Sequence, residues 1–150
     1  MQDINPLGLA LADYSRRVTD MQWTETVPGK AYAKVVWTGA ESGGWAALVR
    51  WMKGYAGPPH KHLTAAHTFV LSGCLFVDGH AYGPGTYVYE PTGIIHQRAE
   101  ALEDTEFFFI SNGPILFLGD GELSHYVGWE EARRLEGLGP GSFGWIPPAG

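Results

Sequence analysis

Apolar residues along this chain come in short, β-prone runs separated by turn residues, with one helical segment near the end. "AYAKVVWTG" (31–39) and "WAALVRWMKG" (45–54) are such runs, parted by the turn cluster "AESGG". "HTFVLSGCLFVDGHAYG" (67–83) predicts two strands meeting at Asp78-Gly79, a dipeptide suited to the positive φ angles of a tight hairpin. "GTYVYEPTG" (85–93) alternates and stops at a proline turn. "EFFFISNGPILFLG" (106–119) supplies two more short strands broken by Asn112-Gly113-Pro114. The helix is predicted over "GWEEARRLEG" (128–137), where early glutamates and late arginines complement the helix dipole and Gly137 serves as its cap. Many short strands with frequent turns predict an all-β sandwich or barrel with a short C-terminal helix.

Composition agrees with that pattern. Glycine (21) and proline (10) are abundant and charged residues are only 17%, a balance that suits a turn-rich β fold better than a helix bundle. At 150 residues, one domain with one core is expected. A net charge of −6 argues against nucleic acid or an anionic membrane as partner, since both attract basic patches. Cys74 is the single cysteine, so no intrachain disulfide forms, and a reducing, cytoplasmic setting is the expectation. No basic segment precedes an apolar run at the N-terminus, and no run of 18 apolar residues exists, so neither a secretory signal nor a membrane span is predicted.

The chemistry concentrates in "GYAGPPHKHLTAAHTFVLSG" (54–73), which holds three of the six histidines. Five residues separate Gly54 from His60, and one separates His60 from His62; three then precede Ala66 and six more precede Gly73. Further on, five residues separate Gly85 from Pro91-Thr92-Gly93, two more precede His96, and three then precede Glu100. His60 and His62, two apart on a strand, project from the same face. His96, just past the Pro91 turn, can reach the same point. Three imidazoles on one face leave open positions on a metal ion, as a reactive site requires. The competing interpretation makes His60 and His62 ordinary half-exposed strand residues.

These two spaced patterns resemble the paired signature motifs of the cupin superfamily, a small double-sheet jelly-roll β-barrel of the RmlC-like type. The first motif matches over 54–73 and the second over 85–100. Two positions depart: Ala66 stands where the family has a glutamate ligand, and Glu100 where it has asparagine. The resemblance implies a single cupin domain over 1–150 with His60, His62 and His96 as metal ligands. His67 falls on the opposite strand face by parity and becomes a fourth ligand only if a bulge turns it inward.

Ala66 cannot coordinate a metal, so the ligand set is expected to be neutral. A divalent ion that keeps its charge favours an anionic, bidentate oxygen ligand such as the enolate of a β-diketone or α-hydroxyketone. Here the chain resembles the three-histidine Fe(II) cupin dioxygenases, most of all the 2,4'-dihydroxyacetophenone dioxygenase group, in the runs "HKHLTAAHTFVLSG" and "GTYVYEPTGIIHQ". The acetylacetone-cleaving dioxygenases share the three-histidine plan. Both groups cleave a C–C bond beside a carbonyl with O2, which implies Fe(II) as cofactor and an enolisable ketone and O2 as reactants. Imidazole sites bind Ni(II), Cu(II) and Zn(II) more tightly than Fe(II), so a purified sample is expected to hold another ion readily; Zn(II), Ni(II) and Mn(II) are the alternatives for the isolated protein. Three other readings stand beside this one: a regulatory or sensory metal cupin resembling ChrR-type anti-sigma factors, a metal-dependent lyase or isomerase, and a thiol dioxygenase. A homodimer through sheet edges is the expected assembly.

Supporting roles are assigned by position. Glu90 lies where the chain approaches His96 and is a candidate to hydrogen-bond a ligand imidazole or steer substrate; a solvated turn carboxylate is the alternative. Arg98 shares strand parity with His96 and is a candidate to face the cavity and attract an anionic substrate; a surface ion pair is the alternative. Tyr87 and Tyr89 share one face, as do Phe107 and Phe109, and either pair suits a barrel lining. His80 and His125 read as ordinary polar or packing residues, the latter in a C-terminal loop, and Cys74 as a small buried hydrophobe.

Overall fold

Short strands parted by positive-φ glycines build two facing layers, and the computed structural model describes them over residues 13–135. After a 3-10 turn at Val18–Asp20 come β1 (Thr24–Val27), β2 (Ala31–Thr38), β3 (Trp45–Trp51), β4 (Ala56–Gly57), β5 (His60–His62), β6 (Ala66–Ser72), β7 (Leu75–Val77) and β8 (His80–Tyr82). β9 (Tyr87–Glu90), β10 (Ile95–His96), β11 (Ala99–Ala101), β12 (Thr105–Ser111), β13 (Ile115–Gly119) and β14 (Glu122–Val127) follow, then helix α1 (Trp129–Leu135). One layer is a six-stranded sheet in the order β1-β2-β3-β12-β6-β9. Two four-stranded sheets, β10-β5-β13-β14 and β4-β11-β7-β8, complete the fold. All pairings are antiparallel, which leaves side chains alternating between core and solvent.

That alternation builds the core. In β12, Phe107 and Phe109 are buried while Ile110 is exposed; in β6, Ala66, Thr68 and Val70 point in while Phe69 and Leu71 point out. The inward residues meet Leu75, Val77, Ala99, Ile115 and Val127 from the two smaller sheets. Trp45 packs on Phe109 with ring centroids 5.3 Å apart, and its indole N–H donates to the Gly113 carbonyl at 3.2 Å.

The segment 67–83 forms three strands rather than two. It breaks at Gly73, whose φ is +80° and whose α-carbon lies so close to the next turn that a Cβ there would sit 2.3 Å from the Asp104 carbonyl oxygen. The hairpin expected at Asp78-Gly79 is present, with φ of 43° and 93° and Val77 paired with His80. His125 lies in strand β14, not in a loop. The helix begins at Trp129; the expected cap, Gly137, lies outside the described residues. Among the described residues no helix is long and apolar enough to cross a membrane.

Candidate metal centre

The local chain path explains how three histidines converge. β5 and β10 pair antiparallel with His60 directly opposite His96, and His62 follows two residues along on the same face. The Pro91-Thr92-Gly93 turn carries the chain from β9 in the six-stranded sheet to β10 in the smaller one; Gly93, at φ +87°, donates its N–H to the His62 carbonyl at 2.7 Å. The three ring centroids lie 5.0, 5.2 and 5.3 Å apart, nearly an equilateral triangle. One nitrogen from each ring lies within 4.8 Å of the others.

The hydrogen bonds of the outer nitrogens decide which nitrogen faces the centre. His60 Nδ1 lies 3.1 Å from the Pro58 carbonyl, which can only accept, so Nδ1 carries the proton and Nε2 is free. His96 Nδ1 lies 3.1 Å from Asp78 Oδ2, with the same consequence. The centre is buried: His62 is 0% exposed, and among the described residues its ring nitrogens have no hydrogen-bond partner and His96 Nε2 has only Glu90 Oε1 near it, at 3.5 Å. Orphaned buried nitrogens are costly unless something else satisfies them. Three convergent imidazoles with lone pairs turned inward fit a divalent, imidazole-binding metal ion, and His60, His62 and His96 would hold it.

A carboxylate completes the centre from the opposite layer. Glu90 Oε1 lies 3.5 Å from His96 Nε2 and 3.8 Å from His62 Nε2, and its Oε2 accepts a 3.1 Å hydrogen bond from Thr68. Its cross-strand partner is Ala66, fully buried on the same inner face. The slot left without a carboxylate on β6 therefore has one directly beside it on β9. The expected ligand set without a carboxylate therefore has a carboxylate as its neighbour: Ala66 supplies none, and Glu90 borders the three rings.

Electrostatics separates the histidines. Burial pushes His62 down to about 4, with His60 and His96 adding to that effect and Glu90 opposing it. Burial also holds His60 below its ordinary value. Burial lowers His96 too, but Glu90 and Asp78 outweigh it and hold this imidazole above its usual range. For Glu90, burial alone would raise the carboxyl, yet the His96 contact and the fields of the neighbouring rings hold it below the ordinary carboxylate range. The site thus keeps an ionised carboxylate beside two ligand-ready imidazoles.

A cavity of about 190 Å³ opens on His60 and His96. His60, His96, Glu90 and Thr68 supply polar groups; Trp45, Trp51, Phe107, Phe109 and Phe117 supply much of the apolar wall.

Residues 12–116 match the family model described as the ChrR Cupin-like domain. The chain belongs to that cupin family. The acetylacetone-cleaving enzyme of Acinetobacter johnsonii is 27% identical over 101 residues; the match spans 62% of this chain and 65% of that enzyme, a little under two thirds of its length. The crystal structure of an acetylacetone dioxygenase from the same organism has a TM-score of 0.78 at 19% identity, covering 90% of this cupin and 97% of that chain. At that identity the likeness establishes the fold. The Rhodobacter sphaeroides structure of SigE in complex with the anti-sigma ChrR gives a TM-score of 0.54 at 26% identity, covering 64% of this cupin and 52% of that chain.

The other predicted residues of the cupin scatter. His67 faces away from the centre, on the outer side of the six-stranded sheet, where Nδ1 contacts the Tyr87 hydroxyl at 2.5 Å. No bulge turns it inward, since Ala66 through Phe69 pair in unbroken register with β9. Arg98 is also turned outward: it pairs with Glu100 and lies 5.1 Å over the Phe76 ring. Parity from His96 fails because β10 ends there; the backbone N–H groups of Gln97 and Arg98 both donate to Asp78, and Ala99 restarts the alternation inward. Tyr87 and Tyr89 are solvent-facing, whereas Phe107 and Phe109 line the cavity. His80 is exposed and stacks on Tyr82; His125 is half-buried and stacks on Phe117 at 4.8 Å. Cys74 is half-buried rather than buried. Asp78 was legible only as a hairpin residue, and nothing local marks it as a histidine partner.

Proposed function

We propose that this cupin is a mononuclear non-heme Fe(II) dioxygenase that uses O2 to cleave a C–C bond of an enolisable ketone, a β-diketone or α-hydroxyketone. The observation that carries the reading is a three-imidazole centre, without a carboxylate at Ala66, opening on a small aromatic cavity. Fe(II), when bound, would supply chelation of a ketone's two oxygens and reactivity toward O2. The chain's own residues do the rest. Ionised Glu90, fixed by Thr68 at the cavity wall, accepts the acidic C–H proton of the ketone on Oε1, and enolate formation leaves it neutral beside the anion. The aromatic wall holds the apolar flanks and excludes water. A volume near 190 Å³ is below the usual range for drug-sized ligands, roughly 300 Å³ and up, and favours a compact ketone. The match to the acetylacetone-cleaving enzyme supports the same class.

The likeness to ChrR favours a second reading, a metal-binding regulatory domain. A homodimer through sheet edges is the proposed assembly. Anaerobic Fe(II) reconstitution followed by O2-electrode measurements over diketones and hydroxyketones separates the functions. The dioxygenase should consume one O2 per ketone cleaved, and Glu90→Gln should slow it about 100-fold or more. Anaerobic turnover of a ketone without O2 uptake would replace it with a lyase or isomerase, and metal binding without any turnover would favour the regulatory reading.

A further inference from the structure

We infer that Asp78, at the tip of the β7–β8 hairpin, is a positioning residue that fixes His96 in the tautomer able to bind metal. The inference rests on His96 being a ligand, as proposed above. Asp78 reaches from one four-stranded sheet to the chain leaving the other. Its two oxygens carry different main tasks. Oδ1 accepts the backbone N–H groups of Gln97 at 3.1 Å and Arg98 at 2.9 Å, while Oδ2 accepts from His96 Nδ1 at 3.1 Å and shares the Gln97 N–H only at 3.3 Å. Asp78 N–H in turn donates to the Arg98 carbonyl at 2.9 Å, so the carboxylate is locked to the segment that carries His96. With its proton held on Nδ1, the neutral ring must present a bare Nε2 to His60 and His62.

The division of labour makes the role separable from turn formation. In Asp78→Asn the two backbone N–H groups still need an acceptor, so the amide oxygen takes the Oδ1 place. The amide NH2 must then face His96 Nδ1, which becomes an acceptor. The imidazole proton moves to Nε2, and that nitrogen no longer offers a lone pair, as happens when other carboxylate partners of histidine become amides. Asparagine accepts the positive φ of position 78, here 43°, so the hairpin itself is unchallenged.

The test uses the metal-free full chain, with Zn(II) as a redox-silent probe. Nitrogen-15 NMR of the ring, at alkaline pH where His96 is neutral, should show the proton on Nδ1 in the wild type and on Nε2 in Asp78→Asn. Zn(II) affinity, measured by chelator competition, should fall about 10- to 100-fold in the variant. The wild-type spectrum needs no variant: a proton on Nε2 there overturns the inference. So does an unchanged tautomer in Asp78→Asn, whether or not Zn(II) binding weakens, because the loss would then reflect only the missing charge. His96→Ala checks the underlying reading independently. Zn(II) binding as tight as wild type in that protein would remove His96 from the ligand set, whatever its tautomer.

Discussion

Ala66→Glu places a second carboxylate in the most crowded part of the site. Ala66 is 0% exposed and is paired directly with Glu90 across β6 and β9. Directly opposed residues have Cβ atoms ~5 Å apart, and two unit charges at that distance repel by roughly 3 kcal/mol at an effective dielectric near 20. Neutralising one carboxyl at pH 7 instead costs roughly 3–4 kcal/mol, so protonation offers no cheaper escape. Overpacking adds about 1–3 kcal/mol. Metal-free Ala66→Glu should therefore lose about 5 kcal/mol, much of the stability of a typical domain. Urea unfolding followed by the fluorescence of the six tryptophans measures it. Ala66→Gln isolates the packing part and should lie about 3 kcal/mol above Ala66→Glu, a difference that disappears in a Glu90→Gln background. Bound Zn(II) should recover most of the loss, since the new carboxylate becomes an anionic donor, while ketone binding weakens because that donor occupies an open position. Equal stability of Ala66→Glu and Ala66→Gln, or a coupling with Glu90 below about 0.5 kcal/mol, would refute the face and register argued for this pair.

Acidification should destabilise the metal-free protein. His62 titrates at about 4 in the fold against an ordinary 6.5, so below 6.5 the unfolded chain takes up a proton that the folded chain refuses; stability falls toward pH 4 by up to roughly 3 kcal/mol. His96 acts in the opposite sense, its contribution full below 6.5 and lost as pH rises through its raised value. Urea midpoints between pH 7 and 5 should show the net fall, to which His60 adds in the same sense, and His62→Gln should make it shallower; an unchanged slope would contradict the assignment. Gly73→Ala should cost about 2–4 kcal/mol in thermal unfolding, because its φ of +80° is strained for alanine and its Cβ would meet Asp104 O at 2.3 Å and Thr105 Oγ1 at 2.5 Å. Gly79→Ala, with open space around the same kind of φ, should cost distinctly less.

What the sequence determined by itself is what depends on short separations along the chain. His60 and His62 share a face because strand geometry has a period of two, and the β7–β8 hairpin forms because Asp78-Gly79 accepts positive φ. The paired spacings around His60, His62 and His96 were likewise enough to resemble a cupin. Parity carried His67 correctly to the outer face, because β6 pairs with β9 without interruption from Ala66 to Phe69. It misplaced Arg98, because two backbone N–H groups bend toward Asp78 and restart the alternation at Ala99. Tyr87 and Tyr89 look like lining residues by composition, yet Glu90 is the residue that faces inward from β9, and the period of two then turns both tyrosines to solvent. Tertiary structure alone decided the neighbours of the histidines. Ala66 and Glu90 became a pair through strand register, and Asp78 met His96 through the docking of a hairpin against a distant turn. Such contacts depend on how sheets stack and slide over one another, and the energies that choose among registers are summed over the whole core. No local run of residues carries that sum.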